Sequence, residues 1–349
     1  MEKLLTVAVP AYNAETYLKT NLDSLCRNAF LERIEVIVID DGSSDQTGAI
    51  ADAYAAQFPD TVKVVHKENG GHGSGVNTGM DLASGYYFKV VDADDWVDEN
   101  AFSNLLDHLE VQCRNKKSGS DAVVSGFYWV YDDGTGQIEG FRRKAEIKQP
   151  FHGVKYGKRY RFDDVSSRIY IKMHGLTIKT ELLKTHRDRI RLDEHCYYVD
   201  AEYILYPIPY IETVSFIPDF VYQYRLGREG QSVNPEKMMK NQENYDRVLR
   251  SLFRFYESCQ TGEIACTRAK LRYIEGIIAR IAAGRVKIIL SFPASAENKN
   301  QLKQSECRLR KNYPGIYRAN RNWGVRALRL SSYGLYGLAS RMVRRKAER

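Results

Sequence analysis

Four short apolar runs within the first hundred residues decide most of what this chain can become. Leu4–Val9, Ile34–Ile39, Thr61–Val65 and Tyr86–Val91 are dominated by apolar, largely β-branched residues, and the second is broken only by Glu35 near its start. Segments of helical length separate them: one with Leu18, Leu22 and Leu25 on a single face, one over Thr47–Phe58, and one ending near Gly85. Largely apolar strands joined by helices predict a mostly parallel sheet with helices on both faces, a Rossmann-like α/β architecture with right-handed crossovers. The loops after the strands' carboxyl ends then open at one edge, where ligands of open α/β sheets gather. Those loops are Pro10–Asn13, Asp40–Asp45, Lys67–Gly75 and Asp92–Asp95, and the polar residues of this stretch concentrate in them.

The last loop carries three carboxylates, Asp92, Asp94 and Asp95, directly before Trp96 and Val97. Unpaired carboxylates are costly inside a core, so they are expected to project from the strand's end. Crowded carboxylate oxygens invite Mg²⁺ or Mn²⁺, which also binds phosphate oxygens. The plain alternative is a polar turn that caps a helix through Asp95 or Asp98. The other loops add Asp40 and Asp41 as acceptors for a base or ribose, Asn69 as donor and acceptor, and Gly70, Gly71, Gly73 and Gly75, which would let a ligand approach the backbone. A nucleotide diphosphate with its cation satisfies this set. The glycine run lacks the P-loop pattern, and it follows the third strand where a dinucleotide fingerprint would follow the first.

Farther on, strands are expected at Ala122–Tyr131, Ile211–Phe216 and Phe220–Tyr224, a hairpin turn at Asp132–Gly136, and a basic, aromatic, irregular segment at Phe141–Arg161. After about Pro235 the pattern is helical: Met238–Glu257, Glu263–Leu290, Ala296–Asn312 and one helix over Trp323–Lys346. The expected division is a catalytic domain over residues 1–234 and a helical region with a basic amphipathic tail over 235–349. Of the net charge of +8, the stretch from Arg310 to the end carries +10, which leaves −2 for the rest. That division argues against nucleic acid as the partner of the whole chain. The six cysteines have no metal-type spacing and read as reduced thiols. No leader-like pattern and no long uncharged apolar window is read, so a cytoplasmic chain is expected, its tail suited to lie on the inner face of a membrane.

In combination, Val7-Ala-Val-Pro-Ala-Tyr-Asn13, Val36-Ile-Val-Ile-Asp-Asp-Gly-Ser-Ser-Asp45, Glu68-Asn-Gly-Gly71, Asn77-x-Gly79 and Val91-Asp-Ala-Asp-Asp95 resemble the family 2 glycosyltransferases with the GT-A fold. The match is close over roughly the first hundred residues and reaches weakly, through Asp200 and Arg228-x-x-Gln-Ser232, to about residue 235. The resemblance implies an inverting transferase that uses a nucleotide-activated sugar, most often a UDP-sugar, with Mn²⁺ or Mg²⁺. By this resemblance Pro10 and Tyr12, with Asn13, line the nucleoside pocket. Asp41 binds the base and Asp40 supports its loop. Asn69, Gly71 and Asn77 lie at the nucleotide, Asp92 near ribose and sugar, and Asp94, with Asp92, at the metal. The catalytic base of such enzymes is an Asp after a Glu at a helix start; here the pair reads Val199-Asp200, so Asp200 is the candidate, with Glu194 and Glu202 behind it. Gly75-Val76-Asn77 stands where the family has Ala-Arg-Asn, and Lys89, His72 or the Phe141–Arg161 segment would have to replace that Arg.

His174, Arg228, Gln231 and Ser232 are candidates for contacts to acceptor or diphosphate; a lone His, though, is more often structural, and a polar loop is more often simply solvated. The reading that follows is sugar transfer to a hydroxyl of a cell-surface polysaccharide, teichoic acid or glycolipid. The pathway is implied by the resemblance and the basic tail. Two other readings stay open: a non-catalytic nucleotide-sugar binder that has lost its base, and a nucleotidyltransferase, whose glycine- and Lys/Arg-rich first loop is missing.

Overall fold

A computed structural model describes residues 3–114, 119–131, 142–145, 153–226 and 239–347. The chain divides into two compact units, Met1–Glu229 and Gly230–Arg349.

The first unit begins with the expected alternation: β1 (Leu5–Ala11), α1 (Glu15–Leu25), β2 (Ile34–Asp40), α2 (Thr47–Gln57), β3 (Val62–His66), α3 (His72–Leu82) and β4 (Tyr87–Val90). Every residue of β1, β2 and β4 is buried, as apolar strands covered on both faces require. The four strands are parallel in the order β3-β2-β1-β4. Register does the positioning. Ala11 pairs with Asp40, Asp40 with His66, and Ala8 with Val90. The strand ends therefore lie nearly level, and the loops that follow them open on one edge.

Beyond β4 the sheet becomes mixed. β5 (Trp96–Val97), α4 (Glu99–Arg114), β6 (Ala122–Tyr131), β7 (Arg142–Ala145), β8 (Arg159–Arg161), α5 (Phe162–Val165), β9 (Leu176–Lys179), α6 (Thr180–Thr185), α7 (Asp200–Leu205) and β10 (Thr213–Leu226) complete the unit. β9 is antiparallel to both β4 and β6, whereas β10 runs parallel to β6. β10 is one strand where the sequence pattern reads as two. Its pairing slips between Phe216 and Tyr222, around Pro218, which has no N–H to give the ladder. One core cluster joins β1, β2, α1 and α4, with Phe30 edge-on to Phe102 at 5.1 Å.

The second unit contains α8 (Gln242–Thr261), α9 (Arg268–Ser291), α10 (Ala296–Asn312), α11 (Pro314–Ala319), α12 (Trp323–Leu330) and α13 (Tyr336–Ala347). Side chains of Thr267, Ser295 and Asn322 cap α9, α10 and α12. The single helix expected over Trp323–Lys346 is two. At the break the Tyr333 N–H bonds the Leu328 carbonyl, the Ser332 N–H bonds that of Arg329, and Ser332 takes φ 49°. This double bond closes α12 by a Schellman motif. Among the described residues no helix is long and apolar enough to cross a membrane. The expected hairpin at 132–136 lies outside the described residues, as do 141 and 146–152 of the segment expected to be irregular, whose remainder includes β7 and β8.

Candidate active site

The acidic turn after β4 is held from two sides. From α1, the buried Asn21 amide donates to the carbonyls of Asp92 (3.0 Å) and Asp95 (2.9 Å). From β10, Arg225 donates through Nε to the Asp94 carbonyl (2.9 Å), with its guanidinium stacked near Trp96 and Tyr17. Asp95 points inward. Its carboxylate accepts from the Tyr222 hydroxyl (2.5 Å) and the Arg225 N–H (2.7 Å). Burial, then the neighbouring Asp94 and Asp92, raise its carboxyl well above the usual range. Asp95 is thus an internal brace, and Asp92 and Asp94 are the partly exposed acids.

His72, the first residue of α3, meets this turn. Its Nε2 lies 2.7 Å from Asp92 Oδ1. Burial alone would lower the imidazole, but Asp92, with Asp200 and Asp94 in reach, holds it above its ordinary value. In return His72 overcomes the burial of Asp92 and depresses its carboxyl. Asp200, first residue of α7, is exposed, yet protein crowds around it closely enough to lift its carboxyl to about 6, with Asp92 adding to the effect and His72 opposing it. A group both reachable and desolvated sits in a cleft. The wall of this cleft carries His174, stacked on Phe127 and edge-on to Tyr222. Burial drops its ring to about 4, which keeps it neutral, and among the described residues its Nδ1 has no hydrogen-bond partner. Beneath it the wholly buried Lys89, brought down to about 7 by burial, donates to the His174 carbonyl at 2.7 Å.

In the loops after β2 and β3 the residues expected at the nucleotide are hydrogen-bonded to one another and to the neighbouring chain. Asp41 is buried: Oδ1 accepts from Gly70 N–H (2.9 Å) and Lys67 (2.7 Å), and Oδ2 from Gly71 N–H (2.7 Å). Asn69 donates to the Asp41 carbonyl. Asp40 takes the Ser43 N–H and His66. Asn13, at φ 47°, accepts the Ser44 N–H. Pro10 is buried against Gly75, and Tyr12, 56% exposed, stands free at the edge. The glycines admit the protein's own chain: a Cβ at Gly73 would stand 2.3 Å from the Asp193 carbonyl oxygen, and one at Gly71 3.3 Å from the His195 backbone. Asn77 is fully buried, donating to the Leu192 carbonyl and Glu194 and accepting the Leu192 N–H. These contacts clamp residues 192–196, which lead to Asp200, onto α3. The set expected to touch the nucleotide therefore does two things. Tyr12, Asp92 and Asp94 face outward, whereas Asp40, Asp41, Asn69, Gly71 and Asn77 build the rim.

Residues 6–174 match the family model described as Glycosyl transferase family 2. The chain thus carries a family 2 glycosyltransferase domain over residues 6–174. Glycosyltransferase GlyG of Streptococcus pneumoniae is 36% identical over 139 residues, which are 40% of this chain and 43% of that protein. The minor teichoic acid biosynthesis protein GgaB of Bacillus subtilis is 27% identical over 248 residues, 70% of this chain and 25% of its own length. The chain thus spans well under two thirds of these relatives. In fold it is similar to S. aureus TarS 1–349 solved with UDP-GlcNAc (TM-score 0.60, 19% identity, 99% of this chain and 91% of that one). This is the GT-A architecture with a helical C-terminal region.

Against the glycosyltransferase pattern, two positions stand out. Val76, in the place of the family Arg, is fully buried; His72, four residues earlier, lies beside Asp92. Val199, in the place of Glu, is buried too, while Asp200 keeps its place at the helix start. Of the other acids named for the base, Glu194 is engaged by Asn77, and Glu202 is fully buried and accepts the Asp193 N–H. Asn21, Tyr222 and Arg225 were not singled out from the sequence. A buried Arg at the end of an apolar strand was the available signal for one of them. Arg228, Gln231 and Ser232 lie outside the described residues.

Proposed function

We propose that the chain is an inverting glycosyltransferase that moves a sugar from a nucleotide-diphosphate sugar, a UDP-sugar by preference, to a hydroxyl of a cell-surface polysaccharide, teichoic acid or glycolipid. One observation carries the reading: an accessible carboxylate raised to about 6, Asp200, shares a cleft with Asp92 and Asp94 on the edge where all four parallel strands end. The similarity to GgaB, a minor teichoic acid biosynthesis protein, and to TarS, solved with UDP-GlcNAc, supports the acceptor and donor classes.

The acids fit a divalent cation. Asp92, Asp95 and His174 each offer an atom within 4.8 Å of the others, and the neutral His174 presents an unsatisfied nitrogen. With Asp95 held by Tyr222 and Arg225, Asp92 and His174 are the members of this set that would hold the ion, and the family resemblance adds Asp94. When bound, it supplies positive charge to the leaving diphosphate. Asp200 takes the proton of the acceptor hydroxyl at its carboxylate oxygen. His72 orients Asp92, and Asn21 and Arg225 keep the turn from yielding as charge builds, so that little reorganisation is left for the transition state.

The test is nucleoside diphosphate release from a panel of nucleotide sugars with acceptor and Mn²⁺, comparing the parent chain with Asp94→Asn and Asp200→Asn. Both variants should lose about 100-fold or more in turnover. Asp200→Asn should still bind the nucleotide, and Asp94→Asn should bind it poorly. Near-normal turnover in Asp200→Asn moves the base elsewhere. Donor binding without turnover in the parent chain supports the non-catalytic reading instead.

A further inference from the structure

The second unit has an outward surface that its own core does not use. α12 and α13 both turn one side into the cluster around Val286, Ile289 and Leu302, through Val325 and Leu328 from α12 and Tyr336, Ala339 and Val343 from α13. Away from these, at i, i+3, i+7 spacing, lie Trp323, Arg326 and Leu330 on α12. Leu335, Leu338 and Met342 repeat the spacing on α13 and the residue before it. Trp323 is 76% exposed, Leu330 88%, Leu338 58% and Met342 55%. One such side chain means little, but a repeat of them along two successive helices marks an interaction face.

The charge around them has one sign. From Asn320 to Ala347 there are seven Lys or Arg and no Asp or Glu. Arg329 is spent internally on Glu306. Among the described residues no carboxylate pairs with Arg310, Arg318, Arg321, Arg341 or Arg345. Arg310 and Arg318 line, with Tyr317 and Leu330, a cavity of about 470 Å³. An arginine-lined recess with an apolar side chain on its wall suits an amphiphile: anionic headgroup in the recess, hydrocarbon around the side chain.

We propose that α12 and α13 form a peripheral docking surface for an anionic phospholipid membrane. Arg310 and Arg318 take headgroup phosphates, and Trp323, Leu330, Leu338 and Met342 enter the acyl boundary. A soluble polyanion would use the arginines but leave the apolar side chains in water, and their exposure favours lipid. The inference is independent of the donor and acceptor assigned above.

The experiment is co-sedimentation of the full chain with vesicles of phosphatidylcholine, alone or mixed with phosphatidylglycerol. The chain should pellet with the mixed vesicles only, and salt should release it. The variant Trp323→Ser/Leu330→Ser/Leu338→Ser/Met342→Ser should bind roughly tenfold more weakly, and Arg318→Glu/Arg341→Glu/Arg345→Glu should not bind. Because the altered side chains are exposed, both should melt like the parent. Should either misfold, a single change still decides: brominated lipid must quench the tryptophan emission of the parent chain, and Trp323→Phe must lose that quenching, because Trp323 is exposed while Trp96 is buried and Trp129 half-buried. Three results overturn the proposal. One is equal binding to neutral vesicles, or none to either. Another is unchanged binding of the apolar variant with competition by inorganic polyphosphate, which points to a soluble polyanion. The last is self-association that the apolar variant abolishes without any vesicle binding, which assigns the face to a second copy.

Discussion

Asp200 is reachable from solvent, and yet the protein around it penalises its charge. A base that works near neutral pH needs that combination: a carboxyl at about 6 is ionised at pH 7 but holds a proton better than an ordinary aspartate. Turnover per unit of donor should therefore rise as pH passes through about 6, read from the acidic limb of the kcat/KM profile. The same shift has an opposite consequence for stability. A folded-state pKa above the ordinary value means that the folded chain binds the proton more tightly, so the contribution is present at low pH and lost as pH rises through about 6. Asp200→Asn escapes that loss. Its melting temperature should exceed the parent's at pH 7.5, and the difference should vanish near pH 4. An equal melting temperature at both values would mean that solvent screens Asp200 fully. The three acids of the turn were visible in the sequence, but their division of labour was not. Inward Asp95 and outward Asp92 are set by Tyr222 and Arg225, about 130 residues away.

At the scale of elements, α3 is the piece on which the cleft depends. Its first turn, with Gly71 at φ 81°, lets the chain around Asp193–Cys196 lie directly on its backbone, and the His195 N–H bonds the Gly70 carbonyl. Gly73→Ala should push residues 192–196 away, because no Cβ fits 2.3 Å from a carbonyl oxygen. Overpacking of this kind costs about 1–3 kcal/mol; turnover should fall as well, because Asp200 is carried on that segment. A melting curve and a donor-release assay check both, and unchanged turnover would show that the segment does not position the base. The glycine spacing was legible, but its meaning was not. A glycine that admits a ligand and one that admits the protein's own chain look alike until the chain that arrives is known. The two-helix tail is a similar case. Apolar spacing runs through Ser331–Leu335, and only the Schellman bonds at Leu328 and Arg329 reveal the break.

For the molecule as a whole, the division into two compact units, the second with a core cluster of its own residues, predicts that the second can be weakened by itself. Leu302 is fully buried in the cluster of α9, α10, α12 and α13. Leu302→Ala should cost about 2–5 kcal/mol in the second unit, seen as an earlier denaturant transition, with turnover per folded molecule unchanged at low temperature. Loss of turnover with the fold intact would tie the second unit to the chemistry. By itself the sequence determined the parallel half of the sheet, the edge at which its loops open, and the acids at that edge. These follow from local pattern: apolar runs must be covered, charges must not be buried alone, and period sets the element. Only the tertiary structure decided the antiparallel insertion of β9, which acids brace and which face the cleft, and that His72 meets Asp92 at hydrogen-bond distance. Those outcomes depend on residues far apart in the chain meeting at hydrogen-bond distance, and no local periodicity encodes such meetings.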